Sequence, residues 1–290
     1  MQPSHASPPF RLTLPARRDS PAIFCSPHSG RDYPADFLAQ SLLDARAIRS
    51  SEDAFVDDLL DAAPGCGAPL LAATLPRAYV DLNRAAEELD PALIAGLPPG
   101  VQNPRILSGL GVIPRVVAGG RAIRSGKITR VEAEARIEHG WRPYHACLSR
   151  LVEEGAARFG GALLIDVHSM PHEAVEVAAG RGRRPQIVLG DRFGATAAPP
   201  VVDEIEAAFL DEGLVVARNL PFAGAYVVQA HGRPGLNRHA VQIEIDRALY
   251  MDEAAIRPHA GYAAFRQAMR RVVARIAAIP LPQARGLAAE

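Results

Sequence analysis

Cysteine is scarce, with three in 290 residues, and Cys25, Cys66 and Cys147 form no CxxC or finger-like pair. An odd count without such spacing argues against a disulfide framework and a cysteine zinc site, and Cys25 and Cys147 read as buried thiols. Net charge is missing as well. Lys+Arg and Asp+Glu are both 32, so no excess of one sign points to nucleic acid or an acidic membrane. No window approaches the roughly 18 apolar residues of a membrane span. The proline-broken start, MQPSHASPPFRLTLPARRDSP, lacks the apolar region of a secretory signal. A cytoplasmic protein with neither nucleic-acid nor membrane partner is therefore expected. Several catalytic signatures are absent too. No GxSxG elbow surrounds Ser26, Ser29 or Ser169, GDRFG at 190–194 lacks the P-loop lysine and hydroxyl, and there is no GxGxxG. RGRR at 181–184 is a short basic loop without interleaved aromatics.

What is present is an apolar fraction of 48%, enough for a substantial core. Strand and helix patterns alternate along the chain, which favours an α/β fold with three layers. A loose arm over 1–20, with a short strand near Phe10, precedes one domain over 21–280 and a mobile tail over 281–290. Strands are expected at 22–25, 69–74, 78–82, 162–165, 187–189, 215–217 and 242–245. Helical spacing covers 35–48, 52–63, 87–94, 130–159, 201–210 and 260–278.

The chemistry gathers at strand ends. Gly160 to Pro171, GGALLIDVHSMP, is an apolar run that ends in Asp166, Val167, His168 and Ser169 and is closed by proline. Such a run reads as a buried strand whose polar end lies at the carboxyl edge of a sheet, where open α/β folds hold ligands. Ala22 to Cys25 repeats the arrangement and delivers His28 at the following turn. Two neutral imidazoles, with a carboxylate from Asp53 or a neighbouring acid, would make a three-ligand zinc site with one open position. In VQIEID the alternation sets Gln242, Glu244 and Asp246 on one face. If that face borders the metal, Glu244 can take a proton from water and return it to a leaving nitrogen. Arg84, beside Asn83, carries a fork of donors suited to a substrate carboxylate. Arg233 and Arg238, near glycines in 219–239, are further candidates for substrate contact. His145 fits either a packed role or one at the substrate.

These pieces, in order, are SPHSG at 26–30, EDAFVDDLL at 52–60, AYVDLNR at 78–84, WRPYH at 141–145, LLIDVHSMP at 163–171 and HGRPGLNRHAVQIEIDRALYM at 231–251. Together they resemble the N-formylglutamate amidohydrolase family over roughly residues 22–275. The resemblance implies a phosphorylase/hydrolase-like α/β/α sandwich related to zinc carboxypeptidases. It implies one zinc ion held by His28, Asp53 and His168, with Glu52 a close rival for the carboxylate and Asp57 a further one. It also implies Glu244 as general base and acid, Asn83 with Arg84 as the carboxylate clamp, and Arg233 as a candidate beside the developing oxyanion. The implied substrate is N-formyl-L-glutamate, a small acidic N-acyl amino acid cleaved to formate and L-glutamate. Deacylation of another N-acyl amino acid or small amide is the enzymatic alternative, and a non-catalytic binding scaffold the other. AFV at 54–56 departs from the aromatic-histidine pairing of some members and is expected to bear on acyl preference.

Overall fold

The computed structural model describes residues 8–98, 103–179 and 184–281. Residues 181–183 of the basic loop and 282–290 of the expected tail lie outside the described residues. The strands are β1 (Phe10–Thr13), β2 (Ala22–Ser26), β3 (Leu70–Ala73), β4 (Val116–Val117), β5 (Arg121–Ala122), β6 (Ala162–Met170), β7 (Ile187–Gly190), β8 (Val216–Arg218), β9 (Arg238–Asp246), β10 (Met251–Asp252) and β11 (Arg257–Pro258). The α-helices are α1 (Ala35–Ala39), α2 (Val56–Leu59), α3 (Pro104–Leu107), α4 (Arg130–Arg136), α5 (Arg142–Phe159), α6 (His172–Ala179), α7 (Pro199–Leu210), α8 (Tyr226–His231) and α9 (Tyr262–Ala277).

Seven strands form the main sheet in the order β1-β3-β2-β6-β9-β7-β8. Its centre, β3-β2-β6-β9, is parallel, while β1 and β7 run antiparallel to β3 and β9. Side chains of a strand alternate between faces, and both long central strands use that period. Leu163, Ile165 and Val167 of β6, with Val241, Ile243 and Ile245 of β9, face α7 and α9 in one core. Ala162, Leu164 and Ala240 face Tyr144, Leu148 and Leu151 of α5 in the other. Helices thus cover both faces of a mixed sheet, as the α/β alternation suggested. Burying each such Leu or Ile contributes about 1.5–3 kcal/mol, so the two central strands are the most firmly seated part of the chain.

Local structure departs from the sequence pattern where a turn replaces regular pairing. Residues 52–63 carry a helical stripe, yet the helix is only Val56–Leu59, because Phe55 takes a left-handed conformation with φ 68°. That conformation is costly for a bulky residue, by about 1–2 kcal/mol. The Phe55 ring packs edge-on against Tyr262. Residues 78–82 form turns rather than a strand, and 87–94 form no helix. Pro143 marks the start of a second helix within 130–159. A π-helical turn at Ile137–Trp141 joins α4 to α5, and Pro143 sits in the first turn of α5 where its missing N–H is harmless.

Candidate active site

Two parallel strands, β2 and β6, end side by side and carry the two histidines to one edge of the sheet. His28 lies in the turn after β2. Gly30 closes that turn because a Cβ there would lie 2.0 Å from the carbonyl oxygen of Leu75. Asp53 arrives from a separate segment, pinned by its backbone N–H donating to the His28 carbonyl at 3.0 Å. The reversal at Phe55 follows at once. Asp53 is therefore a loop residue tied to the His28 turn, not a residue on a helical face.

The three side chains converge. His28 Nδ1 and His168 Nδ1 are 3.0 Å apart, and Asp53 Oδ2 lies 3.0 Å from His168 Nδ1 and 3.4 Å from His28 Nδ1. All three are buried, and they are a His/Asp group that could hold a metal ion. Donors held about 2.0–2.1 Å from one tetrahedral ion lie about 3.3 Å from one another, close to these separations. The far nitrogens support the same reading. His28 Nε2 is 2.7 Å from Asp81 Oδ1, and His168 Nε2 is 3.1 Å from Asp166 Oδ2. Asp81 only accepts, which assigns the His28 proton to Nε2 and turns its Nδ1 lone pair inward, while His168 Nε2 sits between Asp166 and the amide of Asn83, 3.0 Å away. Two ring nitrogens 3.0 Å apart need a proton or a cation between them. Of the rival acids, Glu52 pairs with Arg49 and Asp57 with Arg11 and Arg31.

Charge at the cluster follows from this packing. Burial opposes protonation of His168, but Asp166, by charge and hydrogen bond, and Asp53 hold it well above the usual histidine range. Burial likewise opposes ionisation of Asp53, and hydrogen bonds from His168 and His28 hold it well below the usual carboxylate range. Without a metal, one proton therefore fills the position between the rings.

Neighbouring side chains fix these three residues. Arg247 donates to Asp53 Oδ1 at 3.1 Å and to Ser169 Oγ at 3.0 Å, and Ser169 donates to the same Asp53 oxygen at 3.2 Å. Arg77 donates to Asp81 Oδ2 at 2.9 Å. Asp81 is also held well below the carboxylate range. Burial opposes this, but His28, Arg77 and Arg84 outweigh it. Asn83 is spent on the protein. Its Nδ2 lies 3.0 Å from His168 Nε2 and 3.3 Å from both Asp166 Oδ2 and Gln242 Oε1, and its Oδ1 accepts from Val227 N–H at 2.8 Å. Asp81→Asn is expected to weaken metal binding about 10–100-fold, read by competition with a chromogenic chelator.

β9 completes the edge. In its parallel pairing with β6, His168 stands opposite Glu244 and Asp166 opposite Gln242. Gln242 Nε2 donates to Glu244 Oε1 at 2.8 Å, leaving Oε2 for other work. Burial raises Glu244 to about 7, with Asp53 and Asp166 adding and His168 and Arg77 opposing. A carboxylate poised there can both take and give a proton at neutral pH. The His/Asp group and Glu244 line one cavity of about 780 Å³, together with Arg77, Arg84, Arg105, Arg192 and Arg247. Arg84 donates through Nε to Leu110 O and through Nη1 to Asn83 O, which fixes its fork while Nη2 keeps no protein partner among the described residues. Ala54 and Val56 of AFV are in the core and Phe55 packs against it, so these side chains do not line the cavity.

Arg233, Arg238 and His145 lie elsewhere. All three line a second cleft with Trp141 and Tyr226. The register gives the reason: Arg238 pairs with Ala162 at the start of β6, while Glu244 pairs with His168 near its end. Six residues of strand separate the two by about 20 Å. Arg233 is joined to Arg238 by backbone bonds, and His145 is held to Leu82 O at 2.9 Å.

The chain is similar to known proteins over most of its length. The family model described as N-formylglutamate amidohydrolase matches residues 20–251. The chain is 31% identical to an N-formylglutamate deformylase of Pseudomonas aeruginosa over 87% of this chain and 90% of that one. It is 28% identical to an N-formylglutamate deformylase of Pseudomonas putida, covering 80% and 82%. The crystal structure of an N-formylglutamate amidohydrolase from Ralstonia eutropha superposes with a TM-score of 0.86 at 39% identity, covering 93% of this chain and 97% of that one. The chain belongs to the N-formylglutamate amidohydrolase family.

Proposed function

We propose that the protein hydrolyses the formamide bond of N-formyl-L-glutamate, giving formate and L-glutamate, with one zinc ion at His28, Asp53 and His168. The observation that carries this reading is the buried His/Asp/His group beside Glu244 in an arginine-lined cavity. It is supported by relatives named for that deformylation. Two imidazoles, one carboxylate and an open position suit zinc, which when bound lowers the pKa of water and polarises a carbonyl.

The chain's own groups supply the rest. Glu244 Oε2 accepts the proton of the attacking water while Gln242 holds Oε1. As the carbon–nitrogen bond breaks, the same oxygen returns the proton to the leaving amine. Asp81 and Asp166 contact the two Nε2 atoms and leave both Nδ1 atoms aimed inward, and Arg247 fixes the Asp53 carboxylate. Arg84 offers Nη2 to a substrate carboxylate, and Arg105 and Arg192 add positive charge to the cavity wall. Such a wall favours a dicarboxylate over a neutral amide.

Arg84→Ala is expected to raise KM for N-formyl-L-glutamate about 10–100-fold, the worth of a hydrogen bond to a charged group. Turnover of a formamide without carboxylates should change little. The reading is tested by following formate release from N-formyl-L-glutamate beside N-acetyl-L-glutamate and N-formyl-L-leucine. Preference for the first supports it. Cleavage of the acetyl compound with no formate from the first would replace the substrate and keep the reaction class.

A further inference from the structure

The second cleft, about 720 Å³, is not used by the proposed reaction. Arg233 and Arg238 exchange both backbone bonds, Arg233 N–H to Arg238 O at 2.7 Å and the reverse at 3.1 Å. They are an antiparallel bridge pair closed by a short turn at Pro234–Leu236. Residues opposed in this way project to the same side, and like charges so placed destabilise a pairing. No acidic side chain among the described residues relieves it. The Arg233 guanidinium donates only to the carbonyls of Gln229 and Gly232, and Arg238 has no side-chain partner among the described residues. Glu153, the one carboxylate in the cleft lining, is paired with neither.

The facing wall is aromatic. The Trp141 and His145 ring centroids are 4.1 Å apart, and Tyr226 lies 5.6 Å from Trp141 and 5.2 Å from His145. Their orientations are fixed from behind: Trp141 Nε1 donates to Arg84 O at 2.8 Å, and His145 Nε2 contacts Leu82 O. Both histidines of the cleft are neutral near pH 7, because burial brings His145 and His231 each down to about 4. Its positive charge therefore comes from arginine, which does not titrate in this range.

We infer that this cleft is a second binding site, for a small carboxylate carrying a planar ring, with Arg233 and Arg238 taking the carboxylate and Trp141 and Tyr226 the ring. Paired guanidinium groups match a carboxylate, and an aromatic wall favours a flat apolar body. The contacts to Leu82 and Arg84 connect it mechanically to the segment that carries Asn83 and Arg84 at the first cavity.

Trp141 is the only tryptophan, so intrinsic fluorescence reports on the cleft directly. Benzoate is expected to change its emission saturably, and benzamide, the neutral isostere, is not. Arg238→Ala and Arg233→Ala should each weaken the benzoate response about tenfold or more. His168→Ala, altered only at the first cavity, should retain it. Equal affinity for benzamide, an unchanged response in both arginine variants, or loss of the response in His168→Ala would each overturn the assignment.

Discussion

Glu244→Gln is expected to lower kcat for formate release about 10²–10⁴-fold, the range for removing a general acid-base group, while metal content stays at the wild-type level. The amide is nearly isosteric and can keep a contact with Gln242, so the sheet edge has no reason to move. What it loses is an oxygen that takes a proton at neutral pH. Because burial raises Glu244 to about 7, activity should fall on the acid side as this carboxylate protonates. A bound cation favours the ionised form, so the midpoint in the metal-loaded enzyme should lie at or below about 7. Metal analysis beside a pH–rate profile separates this outcome from loss of the site. An unchanged kcat in the variant would remove Glu244 from the chemistry.

His168→Ala should abolish both metal retention and hydrolysis. The imidazole is one of the three side chains that could hold the ion, and its removal leaves only His28 and Asp53. The wild-type site should also show a linked proton. Asp166 and Asp53 hold His168 protonated well above the usual histidine range, so a metal must displace that proton in order to bind. Affinity is expected to fall as the pH falls, with proton release measurable when metal is added in weakly buffered solution. Metal content equal to wild type in His168→Ala would place the ion elsewhere.

The strand-borne part of this site was readable before any coordinates. His28 and His168 each follow a short apolar run, and period-two alternation places Glu244 with Gln242 on the polar face of β9, as observed. Asp53 was not readable that way. Its helical stripe is real, but the left-handed Phe55 and the bond from Asp53 N–H to His28 O make the segment a turn. Only family resemblance singled it out from Glu52 and Asp57. Asp81 and Arg247 went unassigned because their roles come from partners far away in the chain, Asp81 meeting His28 across 53 positions and Arg247 meeting Asp53 across 194, and Arg77 acts only through its neighbour Asp81. Arg233 and Arg238 show the converse. They share a motif with Glu244 in sequence, yet the strand that connects them carries them to its opposite end.

The reaction and the metal meet in one titration: zinc added back to chelator-stripped protein, with formate release from N-formyl-L-glutamate as the readout. Activity is expected to be negligible in the stripped protein, to rise linearly with zinc and to level off at one equivalent per chain. Full activity in the stripped protein, or no formate at saturating zinc, would contradict a single metal ion at His28, Asp53 and His168 serving formamide hydrolysis.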